Sequence, residues 1–444
     1  MRQATRLWNL WQGLLMPFVR AFTRPGHRRF VEWVTALALN VEEHTITQSV
    51  VTLERTADWK ALESFAEYGA WDRDALTRTL SRLIETTPGR IWYGYHISAV
   101  DDTKVHRSGE HVWGTCTFHE YTARCPNRAT TVRAHNWVVC GALLQNPDQP
   151  AWFLPISGRL YFRKAQLPAR SGVAGPKEEF QTKCELAVAL LREQARTVGG
   201  PHLAVFDGGY ALASVVRPLV APEGDHPRVD FLTRLRHDAR LYALPPAERR
   251  PGQRGPMPKW GRRLPPPRQG GRWTRGWQEG HAYIYGRRRK VLWKEVVGLW
   301  RVSGHDVRVK AVVAKVEGYK KRFTLVTSAV DLGGLQMVEL IAARFRQEDG
   351  FRDLKQRLGW EECRAWTRNP IERTSQAQWA TLSLLRLLQF RLDAAGDTDW
   401  WSPPPWNRKK ERPSVLDVER WLRRHRAEIL QLLSAWLGDE EKAA

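Results

Sequence analysis

Three acidic residues, far apart in the chain, sit where ligands for phosphodiester chemistry would sit. Asp102 ends the strand-like run from His96 to Thr103. Asp207 ends the apolar run Leu203–Phe206 and is followed by Gly208, Gly209 and Tyr210. Glu348 lies in an amphipathic stretch between Arg344 and Lys355. Carboxylates that converge can hold two divalent metal ions and cut a phosphate backbone. Each piece also has a plainer reading. An Asp pair or an Asp-Gly-Gly run can simply make a turn, and Arg344 with Glu348 can be an i,i+4 ion pair on a solvated helix. Asp101 and Asp102 alternate to opposite faces of a strand, so only one of them points into a site. Asp102 is the preferred ligand, and the pair is barely separated by sequence alone.

The third segment carries the most specific spacing. Arg344, Glu348 and Lys355 are four and seven residues apart. At about 100° per residue they share one face of a long helix predicted from about 334 to 358. Phe345, Phe351, Leu354 and Leu358 are expected on its packing side. One face then offers a carboxylate for metal and two cations, Arg344 and Lys355, for DNA phosphates.

The elements that must position these residues change along the chain. Residues 1 to about 90 show helical spacing in Phe30–Leu39 and Leu76–Ile84. Arg2, Arg6, Arg20, Arg24, Arg28 and Arg29 make this region either a DNA grip or a plain helical cap. Short apolar or alternating runs at Ile97–Val100, Trp137–Leu144 and Trp152–Ile156 predict strands. A helix is expected over Lys177–Val198, with Phe180 and Cys184 on its apolar stripe, then a buried strand over Leu203–Phe206. That order implies a mixed α/β layer fold.

Residues 240 to 290 break the pattern. Fourteen Arg and Lys stand there against Glu248 and Glu279, among many Pro and Gly. The stretch reads as an extended phosphate-seeking arm, with Trp260, Trp273 and Trp277 available to stack on bases. Strands resume over 281–328, between the second and third acids. The run from Val415 to Leu437 predicts a C-terminal helix capped by Ser414, docked on the core or on a second protomer.

Composition narrows the partner. The chain has 444 residues, is 42% hydrophobic and carries a net charge of +23. Such a charge suits a polyanion, with double-stranded DNA foremost. No run of ~18 apolar residues predicts a membrane span. Met1–Arg20 reads as an amphipathic helix, not a signal peptide. Five widely spread cysteines suit a reduced, cytoplasmic protein. Among the His and Cys between 106 and 140, only Cys116-x-x-His119 has a zinc-like spacing, which argues against a zinc site. A phosphate-binding loop, a dinucleotide fingerprint and a Gly-x-Ser-x-Gly elbow are all missing from the sequence.

The pattern at 344, 348 and 355 resembles the signature of bacterial insertion-sequence transposases, the DDE enzymes of the YREK type (insertion-sequence families four and seven hundred and one). Asp101-Asp102-Thr103 and Phe206-Asp207-Gly208-Gly209-Tyr210 look like that family's first and second acidic motifs. The stretch Phe351–Gly359 is similar as well, and the likeness covers roughly residues 40 to 435. The family carries a Tyr where this chain has Ile341. The resemblance implies an RNase H-like α/β core with a β-rich insertion and a helical N-terminal domain. The expected division is 1–90 (helical, DNA-binding), 91–235 and 331–400 (catalytic core), 236–330 (basic arm and β-rich insertion) and 401–444 (C-terminal helix). An aromatic of the insertion, Trp293 or Trp300, is a candidate for stacking on a flipped base, though both also suit a sheet core.

The expected activity is cut-and-paste transposition. Asp102, Asp207 and Glu348 would hold two Mg²⁺, with Mn²⁺ as a substitute, and the freed 3′-OH would be joined to target DNA. A homodimer in the DNA complex and a nucleoid-associated place in a bacterial cytoplasm go with that activity. The alternatives are an RNase H-like nuclease that does not transpose and a DNA-binding protein with a decayed site.

Overall fold

Helices dominate positions 2–85 because apolar residues recur there every three or four residues. They are α1 (Arg2–Leu15), α2 (Arg24–Leu39), α3 (Ile46–Thr52), α4 (Lys60–Tyr68) and α5 (Arg73–Glu85). Thr23, Thr45 and Asp72 cap the second, third and fifth through their side-chain oxygens. The computed structural model describes residues 2–120, 130–146, 150–167, 179–249, 254–395 and 399–442. Cys125, Lys177, Arg250 and Pro251 lie outside the described residues.

Strands follow: β1 (Ile91–Trp92), β2 (Tyr95–His106), β3 (Cys116–His119), β4 (Thr131–Leu144) and β5 (Trp152–Tyr161). The chain then alternates through α6 (Lys183–Val198), β6 (His202–Phe206), α7 (Ala213–Val220) and β7 (Asp230–Arg234). The expected helix from Lys177 begins at Lys183, where Thr182 and Glu185 form a reciprocal capping box. Phe180 precedes that cap and is exposed, so it is no part of the apolar stripe.

The next strands are β8 (Arg240–Tyr242), β9 (Gln278–Ile284), β10 (Arg287–Val302), β11 (His305–Val316) and β12 (Phe323–Thr327). Two-residue turns join β9 to β10 and β10 to β11. Tyr285-Gly286 and Ser303-Gly304 have positive φ at both positions, the conformation tight hairpins need and glycine accepts without strain. All strands enter one 12-stranded sheet of order β3-β4-β2-β6-β7-β12-β11-β10-β8, with β1 on β2, β5 on β4 and β9 on β10. Only β2–β6 and β6–β7 are parallel among the described pairings. The strands after 236 therefore extend the sheet of the earlier ones, through β12 paired to β7.

The chain closes with α8 (Gly334–Ala343), α9 (Arg346–Gln356), α10 (Arg368–Ala394), α11 (Val415–Arg424) and α12 (Arg426–Lys442). The single helix expected from 334 to 358 is thus two, bent at Arg344 and Phe345. Helix α10 runs through the middle of the helical layer and is buried on nearly every side. Two of its polar residues bond the neighbouring backbone: Ser383 Oγ donates to the Pro155 carbonyl at 2.6 Å and Gln378 Nε2 to the Leu358 carbonyl at 2.6 Å. Trp379 of α10 meets Trp137 of β4 edge-on at 5.2 Å and Trp360 at 5.8 Å. Such pairs contribute roughly 0.5–1.5 kcal/mol each beyond their burial.

The N-terminal helices pack on this same layer. Trp71 Nε1 bonds Gln376, and Arg73 pairs with Glu372 of α10 at 2.7 Å. Of the arginines expected to grip DNA, Arg28 donates to the Leu437 carbonyl and Arg29 pairs with Glu32 and Asp58. The apolar stripe of α11 and α12 (Val415, Val418, Leu422, Ile429, Leu433) is buried against the core of the same chain.

Candidate active site

Strands β2 and β6 run side by side in parallel, and their last ladder pair is Val100 with Phe206. One residue further stand Asp101 and Asp207, at neighbouring carboxyl ends. Open α/β sheets gather ligands at that place. β6 is fully buried and, after His202, apolar, so the next polar residue along it is Asp207, which opens a 3-10 turn over Gly208–Tyr210.

Strand alternation separates the acidic pair of β2. Ile97 and Ala99 belong to the apolar cluster under α8–α10, whereas Val100 belongs to the one under α6 and α7. Asp101 therefore faces the α9 side and Asp102 the α6 side.

Helix α9 brings Glu348 to Asp101 through two contacts. Gln347, fully buried, donates from Nε2 to the Val139 carbonyl at 3.1 Å, and Val139 is the partner of Asp101 on β4. Gly350 lies flat on Phe153, where a Cβ would stand 2.6 Å from the ring. Arg344, just ahead of α9, spans the remaining gap. Its guanidinium donates to Asp101 Oδ2 and to Glu348 Oε1, each at 3.0 Å. Its side chain is only 8% exposed, so little solvent screens the pair with Asp101.

Asp102 has different company. Its Oδ2 lies 2.5 Å from Lys183 Nζ, and its Oδ1 accepts a hydrogen bond from the Tyr210 hydroxyl at 3.1 Å. The preferred first acid thus points away from Glu348, and its neighbour Asp101 points toward it. Lys355 donates to the Lys104 carbonyl at 2.5 Å and lies 3.3 Å from Glu361. It ties the last turn of α9 to β2.

Burial pushes the Asp101 carboxyl up to about 6; Arg344 opposes the rise, and the charges of Asp102 and Asp207 add to it. The Asp207 charge thus reaches Asp101. Burial, together with the charges of Asp102 and Asp101, holds the Tyr210 phenol well above its ordinary value, so it remains a donor. The carboxylates of Asp101, Asp207 and Glu348 are the oxygen donors a hard divalent ion takes. A cation would also offset the charges of Asp102 and Asp207 that add to the rise burial causes at Asp101. Arg344 supplies a positive charge between Asp101 and Glu348. Among the described residues, no three His, Cys, Asp or Glu side chains already stand close enough to enclose an ion.

Residues 17–297 match the family model described as DDE superfamily endonuclease. The chain belongs to this family. The matched span holds Asp101, Asp102 and Asp207 and ends before Glu348. No curated protein matches the chain. As a DDE endonuclease the chain carries a transposase-like nuclease domain for DNA, of a superfamily that uses divalent metal ions. Among its described residues, no helix is long and apolar enough to cross a membrane.

The sequence reading gave no role to Gln347, Gly350, Lys183 or Tyr210 at this candidate site. Period-2 alternation carried the one signal for Asp101, namely that it and Asp102 must part. Gln347 and Gly350 gave none, because their role depends on which strand the helix lands on.

The basic stretch is folded where described. Trp260 Nε1 donates to Asp306 at 2.7 Å with Arg301 over its ring, and Trp273 Nε1 donates to the Pro265 carbonyl at 2.8 Å. Lys294, Lys315 and Arg322 stand around the Trp277 ring. These indoles serve protein contacts. Trp293 and Trp300 are buried in the sheet core, which places both with the plainer of their two readings. The β9–β10 turn reaches the site, with Tyr285 edge-on to Phe345 at 5.6 Å. Phe345, expected on the packing side, is 41% exposed, and Arg287 and Arg288, which follow that turn, are exposed too.

Proposed function

We propose that the chain is a DNA transposase of the YREK type, with Asp101, Asp207 and Glu348 as its metal-holding acids. The observation that carries this reading is the Arg344 bridge between Asp101 and Glu348, with Asp207 next in register to Asp101. Asp101 replaces Asp102 in the triad because the strand turns Asp102 to the opposite face. The unit β5-β4-β2-β6-β7, antiparallel on one side of β2 and parallel on the other, supports an RNase H-like core. In this reading residues 91–235 and 331–400 form the catalytic core, 236–330 the insertion, 1–90 a DNA-binding helical domain and 401–444 a C-terminal helical segment.

Two Mg²⁺, or Mn²⁺ in their place, would activate a water and stabilise the leaving 3′ oxygen. The chain's own residues do the rest. The three carboxylates would hold the ions. Arg344, already placed between Asp101 and Glu348, offsets their charge and meets the incoming phosphate. Lys355 fixes the end of α9 and so the angle at which Glu348 is presented. The freed 3′-OH would then take the place of water and attack a phosphodiester of target DNA, whose own 3′ oxygen leaves. Joining two ends calls for a homodimer in the DNA complex, and the reading places the enzyme on the bacterial nucleoid.

The test is incubation of the full chain with candidate end DNA and Mg²⁺. A defined 3′-OH break is expected, followed by joining to a target. Asp101→Asn, Asp207→Asn and Glu348→Gln should each abolish the break and keep DNA binding. Metal-dependent cutting by all three variants would overturn the reading. Cutting with no joining would leave a nuclease that does not transpose.

A further inference from the structure

We propose that Asp102 and Tyr210 form a positioning pair that sets the Asp207 carboxylate beside Asp101. The proposal rests on the reading of Asp101, Asp207 and Glu348 as the metal-holding acids. Ladder pairing between β2 and β6 stops at Val100 and Phe206, so the turn that follows Asp207 lies beyond the ladder. The next two residues are glycines, and nothing lies within 4 Å of where a Cβ would stand on Gly209. The backbone bonds of the turn are local: Tyr210 N–H to the Asp207 carbonyl at 3.0 Å and Ala211 N–H to the Gly208 carbonyl at 3.2 Å. They shape the turn without fixing it against β2.

Tyr210 ties that turn to β2 through its side chain. It is the first residue after Asp207 with a side chain, and it is buried, its ring edge-on to Phe206 at 6.4 Å. Its hydroxyl donates to Asp102 Oδ1 at 3.1 Å. Asp102 is itself fixed from α6 by Lys183, 2.5 Å from Oδ2. The link closes a loop between the two acidic motifs, running from Asp207 through Tyr210 and Asp102 to Asp101. Both Asp102 oxygens are committed to it. Partners that orient metal ligands typically change metal affinity or activity by about 10–100-fold when removed.

Mn²⁺ is the probe, its binding to the full chain followed by loss of the free-ion electron paramagnetic resonance signal, beside cleavage of end DNA. Tyr210→Phe keeps the ring packing and removes only the hydroxyl. Tyr210→Phe and Asp102→Ala should each weaken Mn²⁺ binding about tenfold, and Asp102→Asn, which keeps an acceptor for the hydroxyl, by no more than about threefold. The double variant Tyr210→Phe/Asp102→Ala should be no weaker than the worse single, because both remove the same bond. Wild-type Mn²⁺ binding by Tyr210→Phe overturns the proposal, and so do losses that multiply in the double variant. Asp102→Asn as damaging as Asp101→Asn also overturns it, by making Asp102 a ligand. Should Tyr210→Phe fail to fold, the contrast between Asp102→Ala and Asp102→Asn decides. If Asp101→Asn, Asp207→Asn and Glu348→Gln all leave Mn²⁺ binding intact, the acid site itself fails, whatever Tyr210 does.

Discussion

The Arg344 guanidinium lies 3.0 Å from the Asp101 carboxylate and uses its second nitrogen, also at 3.0 Å, to reach Glu348. A buried arginine that forks between two carboxylates fixes both in direction. Arg344→Ala would leave Asp101 buried without its cation. Single-turnover cleavage of end DNA should fall by about 100-fold, the usual order for losing a preorganised charge at a reacting site. Arg344→Lys should not restore it, since one ammonium cannot span both acids as the planar fork does. Full rescue by Lys would reduce Arg344 to a point charge.

Gly350→Ala tests how α9 is seated. Alanine favours a helix over glycine by about 1 kcal/mol. Here, however, the added Cβ would stand 2.6 Å from the Phe153 ring, which is buried and meets Phe351 edge-on. Overpacking should win, with a net loss of roughly 1–3 kcal/mol in denaturant unfolding. Cleavage should drop more than DNA binding, because the helix that moves carries Glu348. A stabilised, fully active variant would show that Phe153 can yield.

Arg287 and Arg288 are exposed on the hairpin tip that reaches Phe345. Contacts with phosphate there would release counterions from the duplex. Arg287→Gln and Arg288→Gln should each flatten the plot of log affinity against log salt by roughly 0.9. Anisotropy titrations at several salt concentrations measure it. An unchanged slope in both variants would move the duplex away from this tip.

Glu419 of α11 is almost fully buried, and burial pushes its carboxyl up to about 7 from the usual 4.5, with Arg423 and Arg357 opposing the rise. The folded state therefore holds this proton more tightly than the unfolded state. Its contribution is fully present below about pH 4.5 and is lost as pH rises through about 7. Glu419→Gln should stabilise the fold at pH 8 by on the order of 1–3 kcal/mol and change little at pH 5. Thermal unfolding at the two pH values tests the sign, and equal effects at both would dismiss it.

What was legible in the sequence followed from period and charge. The apolar run before Asp207 announced a central strand, and the helical spacing of Arg344 and Glu348 gave a pair that does form. The choice within Asp101 and Asp102 was not legible. Alternation says the two part company, but which layer each meets depends on where α6 and α9 cross the sheet. The bend at Arg344 and Phe345 was hidden too, since both keep right-handed helical angles and no Pro or Gly marks the break. Lys355 shared the expected face, yet it spends its ammonium on a backbone carbonyl, a partner that no side-chain pattern reveals. The Pro-rich basic stretch misled for the opposite reason. Its composition resists a core of its own, but its tryptophans borrow one from the sheet beneath.

Because β12 is the partner of β7 and β7 that of β6, residues 236–330 are not a detachable accessory. Cutting them out would turn β7 into a raw edge one strand away from Asp207, with a row of unpaired amides open to any other chain. A shortened descendant of this protein would have to find another strand to fill that slot before it could keep its second acid in place.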